Sequence, residues 1–182
     1  MVAREHLEER DKWQDESATR GQKAEDAFFD AMQDHLRSES NLVIEKSPRD
    51  LEGIYGKHLS SGRPHGVRPD AVIRHTPSGR AIFIEIKRQR AAGNAHERAC
   101  KYFTPGILYS GRQIAKQPLG VIPFWWVFTN GIASHPRYVQ EITHWFRGIE
   151  GHMLLWEPRD PAVIVAHFDA HIRPLLLPSM NQ

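Results

Sequence analysis

Apolar residues recur along this chain with two different periods, and the alternation between them predicts a mixture of helices and strands. From Gln22 to Leu36 they return at the spacing of an amphipathic helix. Further helices are predicted at 94–103, 106–116 and 134–146, with a last one behind Asp160 and Pro161. Strands are predicted at 42–44, 70–74, 81–86, 121–128 and 153–156. This mixture favours a single α/β domain.

The turn between the second and third predicted strands sets up a hairpin. Thr76-Pro-Ser-Gly79 has typical turn chemistry, because proline presets one backbone dihedral and glycine tolerates a positive φ. The midpoint between Asp70 and Glu85 falls inside this turn, so an antiparallel hairpin places the two acids across from each other. Side chains alternate along a strand, so Glu85 and Lys87 share one face while Ile86 points into the core.

Two carboxylates and a lysine at one end of a hairpin have a clear chemical use. Carboxylate oxygens bind a hard cation such as Mg²⁺, which polarises a phosphate and lowers the pKa of a bound water. Lys87 would then stabilise negative charge on the attacking oxygen or on the phosphate. A second interpretation stays open at this point. An acid, any residue and a lysine recur by chance, and a solvated strand end with a Glu–Lys pair gives the same pattern.

The composition limits the classes of protein to be considered. The 182 residues suffice for one domain with a real core, and a net charge of +2 permits a polyanionic partner without requiring one. The single cysteine, Cys100, excludes an intrachain disulfide and is expected to be a small buried residue on a helix. The N-terminus is charged, and the longest apolar run, 121–128, is too short to cross a bilayer. We therefore expect a cytoplasmic protein with no membrane partner.

Two stretches carry little regular pattern. Residues 1–18 are polar and are predicted to form an N-terminal arm, which leaves 19–182 as the folded domain. Residues 46–69 contain clusters of serine, proline, glycine and histidine. These clusters predict a long irregular segment in front of the hairpin.

A basic, glycine-containing segment follows the third predicted strand and opens a helix. Arg88 and Arg90 are placed to clamp phosphates, and such contacts position a protein on DNA without specifying sequence. Gly93 allows the backbone to approach a duplex closely, and Asn94 begins a helix whose free amides favour a nearby anion. A structural interpretation competes, because Asn94 at the N-cap with Glu97 three residues later is also a capping-box pattern.

Several motifs together resemble a known family. Arg68-Pro-Asp70, followed by Phe83-Ile-Glu-Ile-Lys-Arg-Gln89, is similar to the core of the PD-(D/E)xK nucleases. Gly93-Asn-Ala-His-Glu-Arg-Ala-Cys-Lys101, with Phe103-Thr-Pro-Gly106 behind it, resembles the recognition segment of type II restriction endonucleases of the EcoRI and MunI type. The resemblance extends from about residue 42 to residue 168 and includes Ile122–Phe128 and Glu141–Trp145.

The resemblance implies a restriction-endonuclease-like fold, in which helices flank a central mixed β-sheet within one domain. It implies a homodimer that uses Mg²⁺ to cut both strands of a palindromic duplex. Asp70 and Glu85 would be the metal ligands, with the Ile86 carbonyl as a third. Lys87 would be the catalytic lysine. Glu25, on the first predicted helix, resembles a family glutamate that supports the metal site through water.

The resemblance also assigns a recognition segment, residues 88–104. In the family, Gly-Asn-Ala lies extended in the major groove, and the acid and arginine that follow contact the adenines of a central AATT. The corresponding residues here are Gly93, Asn94, Ala95, Glu97 and Arg98. Ala92 stands where MunI-type segments carry an arginine, so the segment is closer to the EcoRI form. We therefore expect an AATT centre, with an outer G·C pair as in GAATTC in preference to CAATTG.

Two other classes of function are kept open. A repair or nicking nuclease of the same fold would share the metal site without needing a palindrome-reading dimer. A DNA-binding protein that does not cleave would keep only the fold, although intact Asp70, Glu85 and Lys87 speak against lost chemistry. A restriction enzyme also implies a companion DNA methyltransferase that acts on the same site.

Overall fold

The computed structural model describes residues 23–88, 94–158 and 160–177. The predicted N-terminal arm, residues 1–18, lies outside this range. So does the part of the recognition segment that contains Arg90 and Gly93.

A five-stranded mixed sheet forms the centre of the described residues. The strands are β1 (Leu42–Lys46), β2 (Ala71–His75), β3 (Ala81–Arg88), β4 (Phe124–Thr129) and β5 (Met153–Trp156), and they lie in that order across the sheet. β1, β2 and β3 are antiparallel neighbours, whereas β4 and β5 continue parallel to β3. The prediction of a central mixed sheet flanked by helices in one domain is therefore confirmed.

Helices cover both faces of this sheet. The first, α1, occupies residues 23–36 of the described chain. The others are α2 (Ala95–Ala99), α3 (Pro105–Ile114), α4 (Gly131–Ser134), α5 (Pro136–Trp145), α6 (Pro161–His167) and α7 (Arg173–Leu176). A π-helical turn, Phe168–Ile172, joins α6 to α7. Among the described residues, none of these helices has the length and hydrophobicity needed to span a membrane.

The apolar run that ends in β4 explains how the sheet is buried on both faces. Trp125 points to one side and packs edge-on against Phe28 of α1, with ring centroids 5.4 Å apart. Trp126 points to the other side and stacks on Phe103, with centroids 4.5 Å apart. All residues of β4 are buried, so this strand belongs to the core and offers no aromatic platform to bases.

Proline positions account for several differences from the predicted elements. β4 begins only after Pro123, which has no N–H to donate to the sheet. The helix predicted at 134–146 is split at Pro136, because the residue before a proline disfavours helical geometry. That residue, His135, is extended, with φ −78° and ψ 121°. Pro105 does not merely end the preceding helix but opens α3.

The helix predicted at 94–103 is also shorter than expected. α2 ends at Ala99, and Cys100–Phe103 forms a tighter 3₁₀ turn. Cys100 begins this 3₁₀ turn and is only half-buried, so the expectation of a buried residue is wrong.

The segment between β1 and β2 is mostly irregular, as predicted, but it contains a small hairpin. Lys57 and Pro64 form an isolated antiparallel bridge, and the Tyr55 N–H donates to the His65 carbonyl at 2.9 Å. We call residues 55–65 the basic hairpin.

Candidate active site

The two acids predicted to face each other meet where β2 begins and β3 ends. Ala71 pairs with Ile84, and the same register places Asp70 opposite Glu85. The Asp70 N–H donates to the Ile84 carbonyl at 2.9 Å, and the Asp70 carboxylate accepts from the Ile86 N–H at 2.6 Å. The predicted hairpin geometry is therefore confirmed, including the inward direction of the Ile86 side chain.

Lys87 lies between the two carboxylates. Its ammonium forms an ion pair with the Glu85 carboxylate and lies 3.9 Å from Oδ2 of Asp70. It also donates to the Ile86 carbonyl at 3.3 Å. One ammonium therefore balances part of the negative charge of two acids that are largely removed from solvent.

Burial and mutual repulsion shift the titration of these groups. Burial, and after it the neighbouring Glu85 carboxylate, raise the pKa of Asp70 to about 7. Burial alone would lower the pKa of Lys87, but the carboxylates of Glu85 and Asp70 outweigh it, so this pKa lies above its ordinary value. At neutral pH Lys87 is a cation, and because the pKa of Asp70 is raised, an additional positive charge beside this carboxyl would stabilise its anionic form.

Glu85 carries a buried oxygen that binds nothing in the described chain. The residue is 2% exposed, and its Oε2 has no hydrogen-bond partner among the described residues. The phenol of Tyr102, which sequence reasoning did not single out, lies beside this carboxylate without completing a hydrogen bond. Burial and then Glu85 raise the pKa of Tyr102, so the phenol stays neutral. An unpaired buried carboxylate oxygen costs free energy unless a cation or a donor reaches it.

Glu25 of α1 approaches the same acids. It lines a cleft of about 70 Å³ together with Asp70 and Ile86, which is room for about two water molecules. Burial raises the pKa of Glu25, and its charge interacts with those of Lys87 and Glu85. The structure therefore brings Glu25 next to the paired acids, as the resemblance implied, with space for water between them.

The donor set fits a small, hard cation. Asp70, Glu85 and the Ile86 carbonyl could supply oxygen ligands, and Mg²⁺ is commonly held by one or two carboxylates with water completing its shell. Within the described ranges, no group of three histidine, cysteine, aspartate or glutamate side chains could hold a metal ion. The site therefore suits an ion that brings its own waters and a substrate phosphate, and does not form a closed protein cage.

The described part of the recognition segment presents polar side chains to solvent. Asn94, Glu97 and Arg98 are exposed at the start of α2, and Ala95 is its first residue. Asn94 occupies the N-cap position, but its side chain makes no capping hydrogen bond, so the capping-box interpretation is wrong on this point. Arg88, the last residue of β3, is half-buried.

His96 holds α2 against α5, a role that sequence reasoning missed. It is 1% exposed, and its Nε2 donates to the Glu141 carboxylate at 3.0 Å. Its ring stacks on Trp145, with centroids 5.3 Å apart. The spacing of His96, Ala99 and Phe103 along one helical face is the signal that could have indicated this burial.

Known proteins match this chain over most of its length. A family model described as the type II restriction enzyme MunI matches residues 2–177. A curated protein of that description, from Mycoplasma sp, is 28% identical over 202 aligned positions, covering 96% of this chain and 100% of that protein. A crystal structure of MunI restriction endonuclease in complex with cognate DNA superposes with a TM-score of 0.75 at 28% identity. That superposition covers 82% of this chain and 89% of the other.

Proposed function

The chain belongs to the family of the type II restriction enzyme MunI, a site-specific deoxyribonuclease, and we propose that it hydrolyses both strands of a palindromic duplex with Mg²⁺ as its cofactor. One observation carries this proposal. The partly buried carboxylate of Asp70 and the fully buried carboxylate of Glu85 meet around Lys87, at the end of the sheet from which the recognition segment departs.

The paired acids are the proposed metal ligands. Asp70, Glu85 and the Ile86 carbonyl would hold Mg²⁺, which supplies a polarised phosphate and a bound water of lowered pKa. The unpartnered Oε2 of Glu85 and the raised pKa of Asp70 support this assignment, because both groups are stabilised by an added cation. Glu25 orients water at the edge of the site from the cleft that it shares with Asp70.

Lys87 is the proposed electrostatic partner of the reacting phosphate. Although burial opposes it, the two carboxylates raise the pKa of Lys87, so the amine is protonated at neutral pH. A protonated amine cannot take a proton from the attacking water. It can donate to a phosphoryl oxygen and stabilise the negative charge that develops there during hydrolysis.

Base reading is assigned to the recognition segment. The exposed side chains of Glu97 and Arg98 supply an acceptor and donors that match the donor and acceptor on the adenine edge in the major groove. Arg88 and Arg90 would bind flanking phosphates and so position the duplex. The remaining proposed contacts are made by Gly93, Asn94 and Ala95.

A homodimer follows from the symmetry of the proposed substrate. One copy of the site cuts one strand, so two copies related by a two-fold axis are needed to cut both strands of a palindrome. We propose an AATT centre, and the alanine at position 92 favours an outer G·C pair as in GAATTC. A companion methyltransferase would protect the same sequence in the host DNA.

Digestion of long duplex DNA with and without Mg²⁺ tests the proposal. We expect discrete double-strand fragments only with the ion, and sequencing of the fragment ends should reveal an AATT-centred palindrome. Substrates that contain GAATTC or CAATTG decide the outer pair. If both stay intact while another sequence is cut, the AATT assignment is wrong.

The same digest separates the other two functions. Nicks without double-strand breaks would identify a nicking or repair nuclease of this fold. Binding to duplex DNA without any cleavage in Mg²⁺ would identify a DNA-binding protein and would refute the proposed chemistry.

A further inference from the structure

A second basic surface rises beside the candidate active site. We propose that the basic hairpin, residues 55–65, binds the phosphate backbone of the duplex whose bases the recognition segment reads. This inference rests on the proposed function and adds a contact surface to it.

The hairpin concentrates positive charge without acids to balance it. Residues 53–69 contain Lys57, Arg63 and Arg68, together with two histidines, and no aspartate or glutamate. Arg68 lies 3.9 Å from the Glu52 carboxylate. Lys57 and Arg63 form no ion pair with any acid in the described part of the chain. These two side chains are therefore available to bind an external anion.

The hairpin is held in shape by its own hydrogen bonds while its side chains remain in solvent. The His58 N–H donates to the Arg63 carbonyl at 2.8 Å, and the Gly62 N–H donates to the His58 carbonyl at 2.8 Å. The Ser60 hydroxyl lies 2.9 Å from Nδ1 of His58. Every residue from 55 to 65 is exposed. A preformed, exposed surface loses little conformational entropy when it binds a ligand.

The path of the chain brings the hairpin to the catalytic end of the sheet. The segment leaves β1 and returns to β2 at Asp70, whose carbonyl accepts from the Ser47 N–H at 2.8 Å. Leu51 and Val67, at the base of the hairpin, are buried in the same core cluster as Tyr102. That cluster lies on the face of the sheet that also carries α2. The hairpin and the recognition segment therefore rise from the same face, at the end where the two acids meet.

The chemistry of the hairpin favours phosphate over a protein partner. Unpaired cations together with the hydroxyls of Ser60 and Ser61 are groups that bind phosphate oxygens without reading sequence. Leu59 at the tip is fully exposed and Tyr55 is about half exposed, but two apolar side chains, one of them packed edge-on against His65, are too small a patch to hold a protein partner. Backbone contacts of this kind increase affinity and its dependence on salt, and leave the choice of sequence unchanged.

A pair of matched double variants tests the inference. Lys57→Gln/Arg63→Gln removes two charges from the hairpin. Arg37→Gln/Lys116→Gln removes the same charge from exposed positions at the opposite end of the sheet, after α1 and beside the turn at Gly79. The affinity of the full chain for a duplex that contains its cleavage site is measured in Ca²⁺, between about 50 and 200 mM salt. Thermal melting of each variant confirms that it is folded.

The expected result is a change in salt dependence that only the hairpin variant shows. Each lost phosphate contact lowers the slope of log affinity against log salt by about 0.9. The proposed homodimer carries two hairpins, so the variant loses four contacts per duplex and its slope should fall by about 3.6. Over this fourfold range of salt, the wild-type protein should then lose roughly 10²-fold more affinity than the hairpin variant. The ratio of the cleavage rate at the cognate site to the rate at a site with one changed base pair should be the same in the wild-type protein and in the hairpin variant.

The possible outcomes separate this inference from the proposed function. If the wild-type protein binds and cuts DNA but the hairpin variant keeps the full salt slope, the inference is refuted and the proposed function stands. A change in sedimentation with an unchanged slope would mean that the hairpin joins two copies of the chain, which also refutes it. A wild-type protein that neither binds nor cuts duplex DNA refutes both.

Discussion

The positions of the catalytic hairpin (β2, its turn and β3) and of the recognition segment are set in different ways. In the catalytic hairpin, Asp70 and Glu85 meet because a short turn joins two strands that keep one register. In the recognition segment, α2 has five residues, no side-chain cap and a position that depends on His96 packing against α5. The partner of His96 is Glu141, 45 positions further along the chain.

This difference indicates which changes should damage each activity. A helix of five residues is not stable by itself in water, so the position of α2 depends on its tertiary contacts. Loosening those contacts should misplace the residues that we propose to read DNA without moving the acids. Changing the acids should abolish chemistry without moving the readers. Cleavage and recognition are therefore expected to be separable by mutation.

Removing the charge of either acid should have the largest effect of the changes considered. That effect should fall on the rate of cleavage and leave DNA recognition intact. Glu85→Gln and Asp70→Asn keep the size of the side chain but remove a charge from the proposed Mg²⁺ site. Single-turnover cleavage should fall by about 10³-fold or more, which corresponds to a loss of several kcal/mol in transition-state stabilisation. Binding to a cognate duplex in EDTA should not weaken, because the readers are untouched and a negative charge near the phosphates is gone.

The control for the acids is Glu45→Gln, which removes an exposed acid from β1 at the same end of the sheet. It should cleave at the wild-type rate. Near-normal cleavage in Glu85→Gln would remove the metal assignment. Loss of DNA binding in EDTA would show that the two regions cannot be separated.

His96→Ala should give the next largest effect and confine it to recognition. Loss of the ring removes its hydrogen bond to Glu141 and its stack on Trp145, so α2 should shift. A displacement of about 1 Å can cost about 10²-fold in rate. We expect the ratio of kcat/KM at the cognate site to kcat/KM at a site with one changed base pair to fall by about 10- to 100-fold.

Two further measurements sharpen this result. Calorimetric binding of Mg²⁺ without DNA should be the same in His96→Ala and wild type, because the acids stay in place. His144→Ala removes an exposed histidine from α5 and should leave the kcat/KM ratio unchanged. Weakened metal binding in His96→Ala would contradict the independence of the two regions.

The pH dependence of the unfolding free energy should also distinguish the catalytic hairpin from the recognition segment, although by a smaller effect. Burial, and then Glu85, raise the pKa of Asp70 from its ordinary 3.8 to about 7. The folded chain therefore binds the proton of the Asp70 carboxyl more tightly than the unfolded chain does. The contribution of this protonated carboxyl to the free energy of unfolding is fully present below pH 3.8 and is lost as the pH rises through 7. Without metal, Asp70→Asn should raise the free energy of unfolding by about 1–3 kcal/mol at pH 8, and by less at pH 5.

Urea titrations in EDTA at the two pH values measure this difference. Glu97→Gln is the control from the recognition segment, since it removes an exposed carboxylate and should change the unfolding free energy little at either pH. An equal gain from Asp70→Asn at both pH values would contradict the proposed origin in a buried charge.

The same contrast explains how much could be predicted from the sequence. The turn at Thr76–Gly79 and the alternation of side chains are local, so the meeting of Asp70 and Glu85 was open to prediction and is confirmed. The cap of the last long helix is local too, and Asp160 does accept from the Ala162 N–H at 3.0 Å. The break at Pro136 was visible as well, but the apolar stripe on both sides of it favoured one continuous helix.

Features that depend on distant contacts could not be predicted in this way. The burial of His96 requires α5, and the approach of Tyr102 to Glu85 requires the packing of the 3₁₀ turn on the sheet. The basic composition of residues 53–69 is plain in the sequence. Its position beside the acids depends on how Leu51 and Val67 anchor the segment in the core.

Asn94→Ala should have the smallest effect on stability and still a clear effect on recognition. Its side chain makes no capping hydrogen bond, so the free energy of unfolding should change by less than about 0.5 kcal/mol. Asp160→Ala is the matched control, because that carboxylate does cap α6 and its loss should cost about 1 kcal/mol. The kcat/KM ratio between cognate and altered sites should fall in Asn94→Ala and stay unchanged in Asp160→Ala, since only Asn94 belongs to the recognition segment. A measurable loss of stability in Asn94→Ala with full sequence preference would restore the capping interpretation and remove this residue from the readers.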